Sequence, residues 1–336
     1  KEYMKQSKIF KDQIIIVTGA SGFIGSCTLR HLNDLGYTNL VLVDDLKNDK
    51  WKNLVGKKFL NLIFKEELFD FLKGRENEIE AIIHLGACSS TICKDSNYLY
   101  ENNFRFTQKL CEYAIENDQR FIYASSAATY GDGNMGFSDD ENLLESLRPI
   151  NMYGYSKHLF DLWAKDQKIL DKIVGLKYFN VFGPNENHKD EMSSMIYKME
   201  EKIQRDGKIS LFKSNDPKNY KDGEQKRDFI YVKDAVKMTC LLIEDAFKDV
   251  SGIFNIGSGK ATTWNELATA LFNALNMPVK IEYIDMPKEL EGQYQNFTKA
   301  EMTKFQKFYK DKFEITSIED SVKNYVQNYL LKRERW

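Results

Sequence analysis

Tyr153 and Lys157 stand four residues apart in a helix-like segment, so they share one helical face. A tyrosine is a poor base at its ordinary pKa of about 10, and a nearby ammonium favours its phenolate. Ser126 closes the strand-like run RFIYASS, and the end of such a strand is where open α/β sheets bind ligands. A serine hydroxyl at that edge can orient a substrate oxygen. Together the three types suit removal of a proton from a carbinol as its carbon is oxidised. Acid–base work of this kind typically contributes ~100- to 10,000-fold.

Oxidation needs an electron acceptor, and the first strand-like run ends in TGASGFIG, which carries Gly19, Gly22, Phe23, Ile24 and Gly25 ahead of a helix-like segment. Strand, glycine turn and helix is the context in which a glycine motif gains meaning: the turn admits a pyrophosphate and the helix start offers free N–H groups. The spacing is GxxGxxG rather than GxGxxG. Asp44 ends the second strand-like run, where an acid can accept hydrogen bonds from an adenosine ribose. Asp45 follows, and Lys47, Lys50 and Lys52 lie just beyond. A carboxylate favours the 2′-hydroxyl of NAD and lysines suit the 2′-phosphate of NADP, so these residues leave both cofactors open.

The elements that must position these groups alternate along the first half. Apolar, β-branched runs at 14–19, 39–45, 81–87, 120–126 and 173–180 are separated by helix-like segments. Runs that are apolar on both faces suit central strands of a parallel sheet covered by helices. The expected fold is α/β, a Rossmann doubly wound parallel sheet with a smaller α/β substrate-binding lobe. The expected NAD(P)-binding domain is 10–180 plus about 230–260, with a strand at 252–256 returning to it. The second lobe is expected from 181–229 and 261–333, with helices near 264–275, 299–309 and 318–331.

The chain has 336 residues, enough for a sizeable core, with 42% apolar and 29% charged residues and a formal charge of -2. That balance carries no electrostatic footprint for nucleic acid. No run approaches the ~18 apolar residues of a membrane span, and the polar start KEYMKQSKIFKDQ lacks a signal-peptide core. No membrane partner is therefore expected, and the cytoplasm is the expected location. Five scattered cysteines without a CxxC pair read as reduced thiols, and no metal site is expected.

TGASGFIG, Ser126, the YGYSK of 153–157 and Arg227-Asp228 together resemble the extended short-chain dehydrogenases that act on nucleotide sugars. HLGACSST (84–91), ENN (101–103), YASSAATYG (123–131), YGYSKHLFD (153–161), YFNVFGP with a following HK (178–189), KRDFIYV (226–232), SGIFNIGSG (251–259) and GQYQNFTKAEMT (292–303) are similar to the ADP-heptose 6-epimerase family. The likeness runs in order over nearly the whole chain.

The resemblance implies oxidation at C6″ of an ADP-linked heptose by tightly held NADP (NAD being the other candidate), then reduction from the opposite face. Lys189 would be a second proton partner beside Tyr153. Asp44, Asp45, Lys50 and Lys65 would meet the adenosine ribose and its phosphate. Leu85, Gly86, Ala87, Cys88, Ser89, Asn102 and Val181 would line the cofactor. Asn180, Lys198, Phe212, Arg227 and Tyr294 would hold the nucleotide sugar. For Arg227 the physics agrees, since a guanidinium matches a diphosphate by paired hydrogen bonds. The resemblance also implies a homo-oligomer, a pentamer in many relatives, and a role in lipopolysaccharide biosynthesis.

Three positions depart from the pattern. Leu85 replaces an acidic residue, Gln293 replaces an arginine, and Glu191 replaces a small hydroxyl residue. A UDP-hexose 4-epimerase shares the same core residues and is the main alternative. A 4,6-dehydratase would need an acid pair soon after the strand serine, where Ala127 and Ala128 stand. A silent NAD(P)-binding regulator would have no need to keep Ser126, Tyr153 and Lys157 together.

Overall fold

The computed structural model describes residues 9–91, 93–245, 250–291 and 294–336. Its strands are β1 (Ile14–Thr18), β2 (Leu40–Val43), β3 (Asn61–Ile63), β4 (Ile79–His84), β5 (Arg120–Ser126), β6 (Ile173–Tyr178), β7 (Asn180–Phe182), β8 (Ile209–Phe212), β9 (Lys226–Arg227), β10 (Phe229–Tyr231), β11 (Gly252–Ile256), β12 (Thr262–Thr263) and β13 (Ile281–Ile284). Seven of them form one parallel sheet in the order β11-β6-β5-β4-β1-β2-β3. The chain runs outward from β1 through β2 to β3, then crosses back to β4 on the other side of β1. That reversal opens a crevice at the carboxyl ends of β1 and β4, the place where doubly wound sheets bind ligands.

The central strands are buried on both faces, and for this reason they read as continuous apolar runs rather than alternating ones. The strand expected at 252–256 is β11, paired in register with β6 from Gly252↔Val174 to Ile256↔Tyr178. The edge strand β3 was not expected: it has three residues, and only Ile63 is buried, too little for a periodic signal.

A second hydrophobic cluster lies beyond the sheet. The helices Met195–Asp206, Trp264–Ala274 and Ile318–Tyr325 pack Ile196, Met199, Ile203, Leu267, Leu271 and Val322 together against the parallel pair β8–β13. Phe23 and Cys27 of the first helix, Phe23–Asp34, belong to this second cluster. Conversely Ala300, Met302, Phe305 and Tyr309 pack into the first core, so this part of the 261–333 range sits with the large sheet. The reason is apolar matching: Phe254 of β11 offers its ring to Phe308 at 6.1 Å.

One carboxylate ties these parts together. Asp228, between β9 and β10, is fully buried and accepts bonds from Ser258 N at 2.7 Å, Ser258 Oγ at 2.7 Å, Gly259 N at 2.9 Å and Ala300 N at 2.9 Å. Asp228→Ala strands these buried donors, and the expected loss is about 3 kcal/mol of unfolding free energy. Urea denaturation of the two proteins checks it; an unchanged midpoint would contradict the role.

Candidate active site

The carboxyl edge of the large sheet opens into one cleft of about 1520 Å³. Drug-sized sites occupy ~300–1,000 Å³, so this cleft has room for two nucleotides end to end.

At its floor the turns after β1 and β4 meet back to back. Gly19 has φ +67°, and a Cβ on it would lie 2.7 Å from the Gly86 Cα. A Cβ on Gly25 would strike the Gly19 carbonyl oxygen at 1.9 Å. The helix Phe23–Asp34 starts at Gly22 without a side-chain cap, so its first-turn N–H groups face the cleft free of any side chain. A cradle lined by backbone and closed to side chains fits a pyrophosphate, and Phe23, Ile24, Leu85, Ala87, Cys88 and Ser89 stand on the same wall.

Beneath the cradle runs a directed chain of hydrogen bonds. The Gly86 N–H donates to Thr18 Oγ1 at 3.0 Å, and that hydroxyl meets His84 Nδ1 at 2.6 Å. His84 Nε2 meets Thr107 Oγ1 at 2.8 Å, and Thr107 donates to the Asn103 carbonyl at 2.7 Å. With Thr18 and Thr107 donating as these partners require, the imidazole carries its proton on Nε2. Burial, joined by the charges of Lys157 and Lys65, pushes the His84 pKa down to about 3. Asn103 then pins the 85–91 turn through Cys88 N at 2.9 Å and Cys88 O at 3.0 Å, and it donates to Ser156 Oγ at 3.1 Å. The sequence carried ENN as a motif but gave no sign that its second asparagine is the structural one.

Asp44 does not sit as the free acceptor expected from the sequence. Its carboxylate accepts from Ser21 N at 3.0 Å, Ser21 Oγ at 2.6 Å, Asp45 N at 2.8 Å and Lys50 Nζ at 2.7 Å. Lys50 also pairs with Asp45 at 3.1 Å. Burial works against the Lys50 ammonium, yet the two carboxylates outweigh it and hold its pKa above the ordinary value. Lys65 reaches Asn102 Oδ1 at 2.5 Å, and both line the cleft beside Lys47.

The helix Met152–Asp166 starts from Asn151, whose side chain accepts the Gly154 N–H at 2.8 Å. Gly154 itself lies so close to the turn after β5 that a Cβ would meet the Ala128 carbonyl at 2.7 Å. That contact sets Tyr153 against Ser126, with both lining the cleft. Lys157 is buried and donates to the Ala124 carbonyl at 2.8 Å. Burial pushes its pKa down to about 8, against the opposing pull of Asp161 and Cys88. Burial raises the Tyr153 pKa, Ser126 lowers it through a hydrogen bond, and Cys88 raises it again. The Lys157 ammonium is turned to a backbone carbonyl, so it does not offset that burial.

Asn180, Val181, Lys189, Arg227 and Tyr294 also line this cleft. Lys189 lies 5.3 Å over the Phe23 ring, and burial lowers its pKa while Glu186 opposes the shift. His188 beside it, also on the wall, is pushed down to about 4 by burial and by Lys50, Lys189 and Arg335. Arg227 stacks 5.0 Å from the Tyr294 ring and is nearly buried, with no carboxylate partner among the described residues. Its Nη1 donates to the Lys226 carbonyl at 3.0 Å, and a buried guanidinium lining a cleft without a carboxylate partner suits a diphosphate.

Two expected residues are not on the wall. Phe212 stands behind Tyr294, edge to face at 6.3 Å. Lys198 turns away and donates to the Glu191 carbonyl, because that backbone oxygen lies within its reach at the start of the helix. Of the departures, Leu85 lines the cleft and Glu191 is exposed outside it, while Gln293 lies outside the described residues. Trp264, Tyr178 and Thr298 also line the cleft. Sequence reasoning missed them, since spacing alone does not show which side chains of these segments reach the cleft. Among the described residues no cluster of histidine, cysteine and acidic residues could hold a metal, and no helix is long and apolar enough to cross a membrane.

Residues 15–257 match the model of the NAD dependent epimerase/dehydratase family. The chain is 48% identical over 321 residues to an ADP-L-glycero-D-manno-heptose-6-epimerase of Nitratidesulfovibrio vulgaris, covering 94% of this chain and 97% of that one. It is 43% identical to an enzyme of the same name from Fusobacterium nucleatum, over 96% of this chain and 100% of the relative. The solved ADP-L-glycero-D-manno-heptose-6-epimerase of Helicobacter pylori superposes with a TM-score of 0.78 at 25% identity, over 95% and 96% of the two chains.

The His84 chain makes stability depend on pH with a defined sign. The unfolded histidine takes up a proton near its ordinary 6.5, the folded one only near 3, so between these values the unfolded state binds more protons. Stability is therefore lost as pH falls through this window, by up to about 1.4 kcal/mol per pH unit from this group. In denaturation titrations His84→Gln should flatten that acid limb relative to the parent chain; an equally steep limb would refute the assignment.

Proposed function

The chain belongs to the NAD dependent epimerase/dehydratase family, and from that premise we propose that it interconverts ADP-D-glycero- and ADP-L-glycero-D-manno-heptose by inverting C6″. The observation that carries this reading is the joint lining of a single cleft by Ser126, Tyr153 and Lys157, the glycine cradle, and the cations Lys189 and Arg227. Near full-length identity of 43–48% with relatives of that name supports the choice of sugar.

A bound nicotinamide dinucleotide would supply reversible oxidation of the carbinol carbon. The Gly19–Gly25 turn and the first-turn N–H groups of the following helix would hold its pyrophosphate, and Lys157 its nicotinamide-side ribose. Tyr153 takes the proton of the C6″ hydroxyl as the carbon becomes planar, and Ser126 holds the oxygen. Rotation of the planar centre presents its second face to the returning hydride, and Lys189, which lines the same cleft, would give the carbonyl oxygen its proton in that half-reaction. Arg227, stacked on Tyr294, keeps the diphosphate fixed while the sugar turns, so the same nucleotide anchor serves both half-reactions. The product would supply L-glycero-heptose for lipopolysaccharide.

We assign NADP as the preferred dinucleotide. A carboxylate offers about four acceptor positions, and those of Asp44 are taken by Ser21, Asp45 and Lys50. A 2′-hydroxyl would therefore find no free acceptor there, while Lys47 and Lys50 at the rim suit a 2′-phosphate.

Purified chain incubated with ADP-D-glycero-D-manno-heptose and no added cofactor should give the L-glycero epimer, followed at C6″ by NMR. No conversion with NADP or NAD added, alongside conversion of UDP-galactose, would reject the heptose and keep the reaction type. Tyr153→Phe should retain cofactor and lose turnover by roughly 100- to 10,000-fold. Lys50→Ala should weaken NADP binding more than NAD binding in calorimetry; equal losses would reject the NADP assignment.

A further inference from the structure

The helix face that carries Tyr153 and Lys157 continues one turn further to Asp161, which is completely buried. A charge taken wholly out of water persists only when paired and hydrogen-bonded. Asp161 accepts from Tyr123 Oη at 2.8 Å and Ser125 Oγ at 2.8 Å, both on β5, and pairs with Lys177 of β6 at 3.2 Å. Lys177 is equally buried, lies 4.7 Å over the Tyr130 ring and donates to Thr129 Oγ1 at 2.5 Å. Thr129 in turn donates to the Ser126 carbonyl at 2.8 Å. One carboxylate therefore joins the helix of Tyr153 and Lys157 to the residue before Ser126 and, through Lys177 and Thr129, to Ser126 itself.

We propose that Asp161, locked to Lys177, is a positioning residue that holds Ser126, Tyr153 and Lys157 in mutual register for the proton transfer. It touches none of the reacting atoms and acts through the strand end and the helix. Its charge has a second effect on the same machinery. The charged and titratable groups that act on Lys157 are Asp161 on its own helix and Cys88 in the turn after β4, and Lys157 acts in turn on His84 of β4; Tyr153 lies one turn earlier on the helix, and Tyr123 and Lys177 hold Asp161. Burial lowers the Lys157 pKa, and among these groups Asp161 opposes that shift most strongly. The inference rests on the redox epimerisation proposed above for its kinetic readout, though not for its electrostatic one.

The test compares Asp161→Asn, Asp161→Glu and the double variant Asp161→Asn with Lys177→Met, which removes both charges and leaves none buried alone. In the folded double variant kcat should fall roughly 10- to 100-fold with KM within about threefold, as expected for lost alignment. Asp161→Glu should recover most of that loss. The Lys157 titration, read by lysine ¹⁵N NMR with Lys157→Arg as assignment, should move to lower pH in the double variant, which lacks the Asp161 charge that raises it. Unchanged kcat, or a loss that Asp161→Glu does not rescue with the Lys157 midpoint fixed, would overturn the proposal and leave the pair as a fold staple. Should the parent chain fail to epimerise the sugar, the functional reading falls and the Lys157 midpoint alone decides the inference.

Discussion

A parallel sheet ends all its strands at one edge, and polar groups withdrawn from water there must find partners. At this edge each one does so on a different element. Asp44 after β2 holds the glycine turn through Ser21. His84 on β4 bridges Thr18 on β1 to Thr107 on the helix Phe106–Glu116. Asn255 on β11 accepts the Tyr130 hydroxyl at 2.6 Å and donates to the Phe137 carbonyl at 2.8 Å. The cleft is the space left above these closures, so its floor is rigid wherever its polar groups are satisfied.

The electrostatics of the cleft follow from the same burial. The chain as a whole is nearly neutral, but the wall gathers Lys65, Lys157, Lys189 and Arg227, all with pKa values lowered by removal from water. Lys50 is raised instead, because Asp44 and Asp45 stand against it. Nearby carboxylates offset the burial of Lys65, Lys157 and Lys189 only in part, and an anionic ligand shifts the balance further. A pyrophosphate and a nucleotide diphosphate are anions of the size this cleft admits.

The two hydrophobic clusters interlock rather than abut. Phe23 and Cys27 leave the glycine turn to pack into the second cluster, and Phe305 and Tyr309 return to the first. Arg227 stands where they meet: β9 pairs with β12, and Asp228 beside it is pinned to the 258–259 turn and Ala300. The anchor for the sugar nucleotide and the cradle for the dinucleotide are thus held by one connected scaffold.

The amino-acid sequence by itself determined the parallel sheet, since strands covered on both faces must be apolar throughout and such runs are legible without neighbours. It also determined the glycine turn and the Tyr153–Lys157 face, because both are local: a turn conformation and a helical spacing need no distant residue. What only the tertiary structure decided were the properties that depend on surroundings. Asp44 could not be known to be saturated until Ser21 and Lys50 were beside it. That burial raises the Tyr153 pKa while a Ser126 hydrogen bond lowers it is likewise set by what packs on the side chain, not by its spacing from Lys157. Lys198 and Phe212 fell off the wall for the same reason: which face of a late element meets the cleft is fixed by packing with residues far away in the chain. Asp161 is one more acidic residue in a helix until β5 and β6 close over it, and only that closure turns its charge into a constraint on the groups around it.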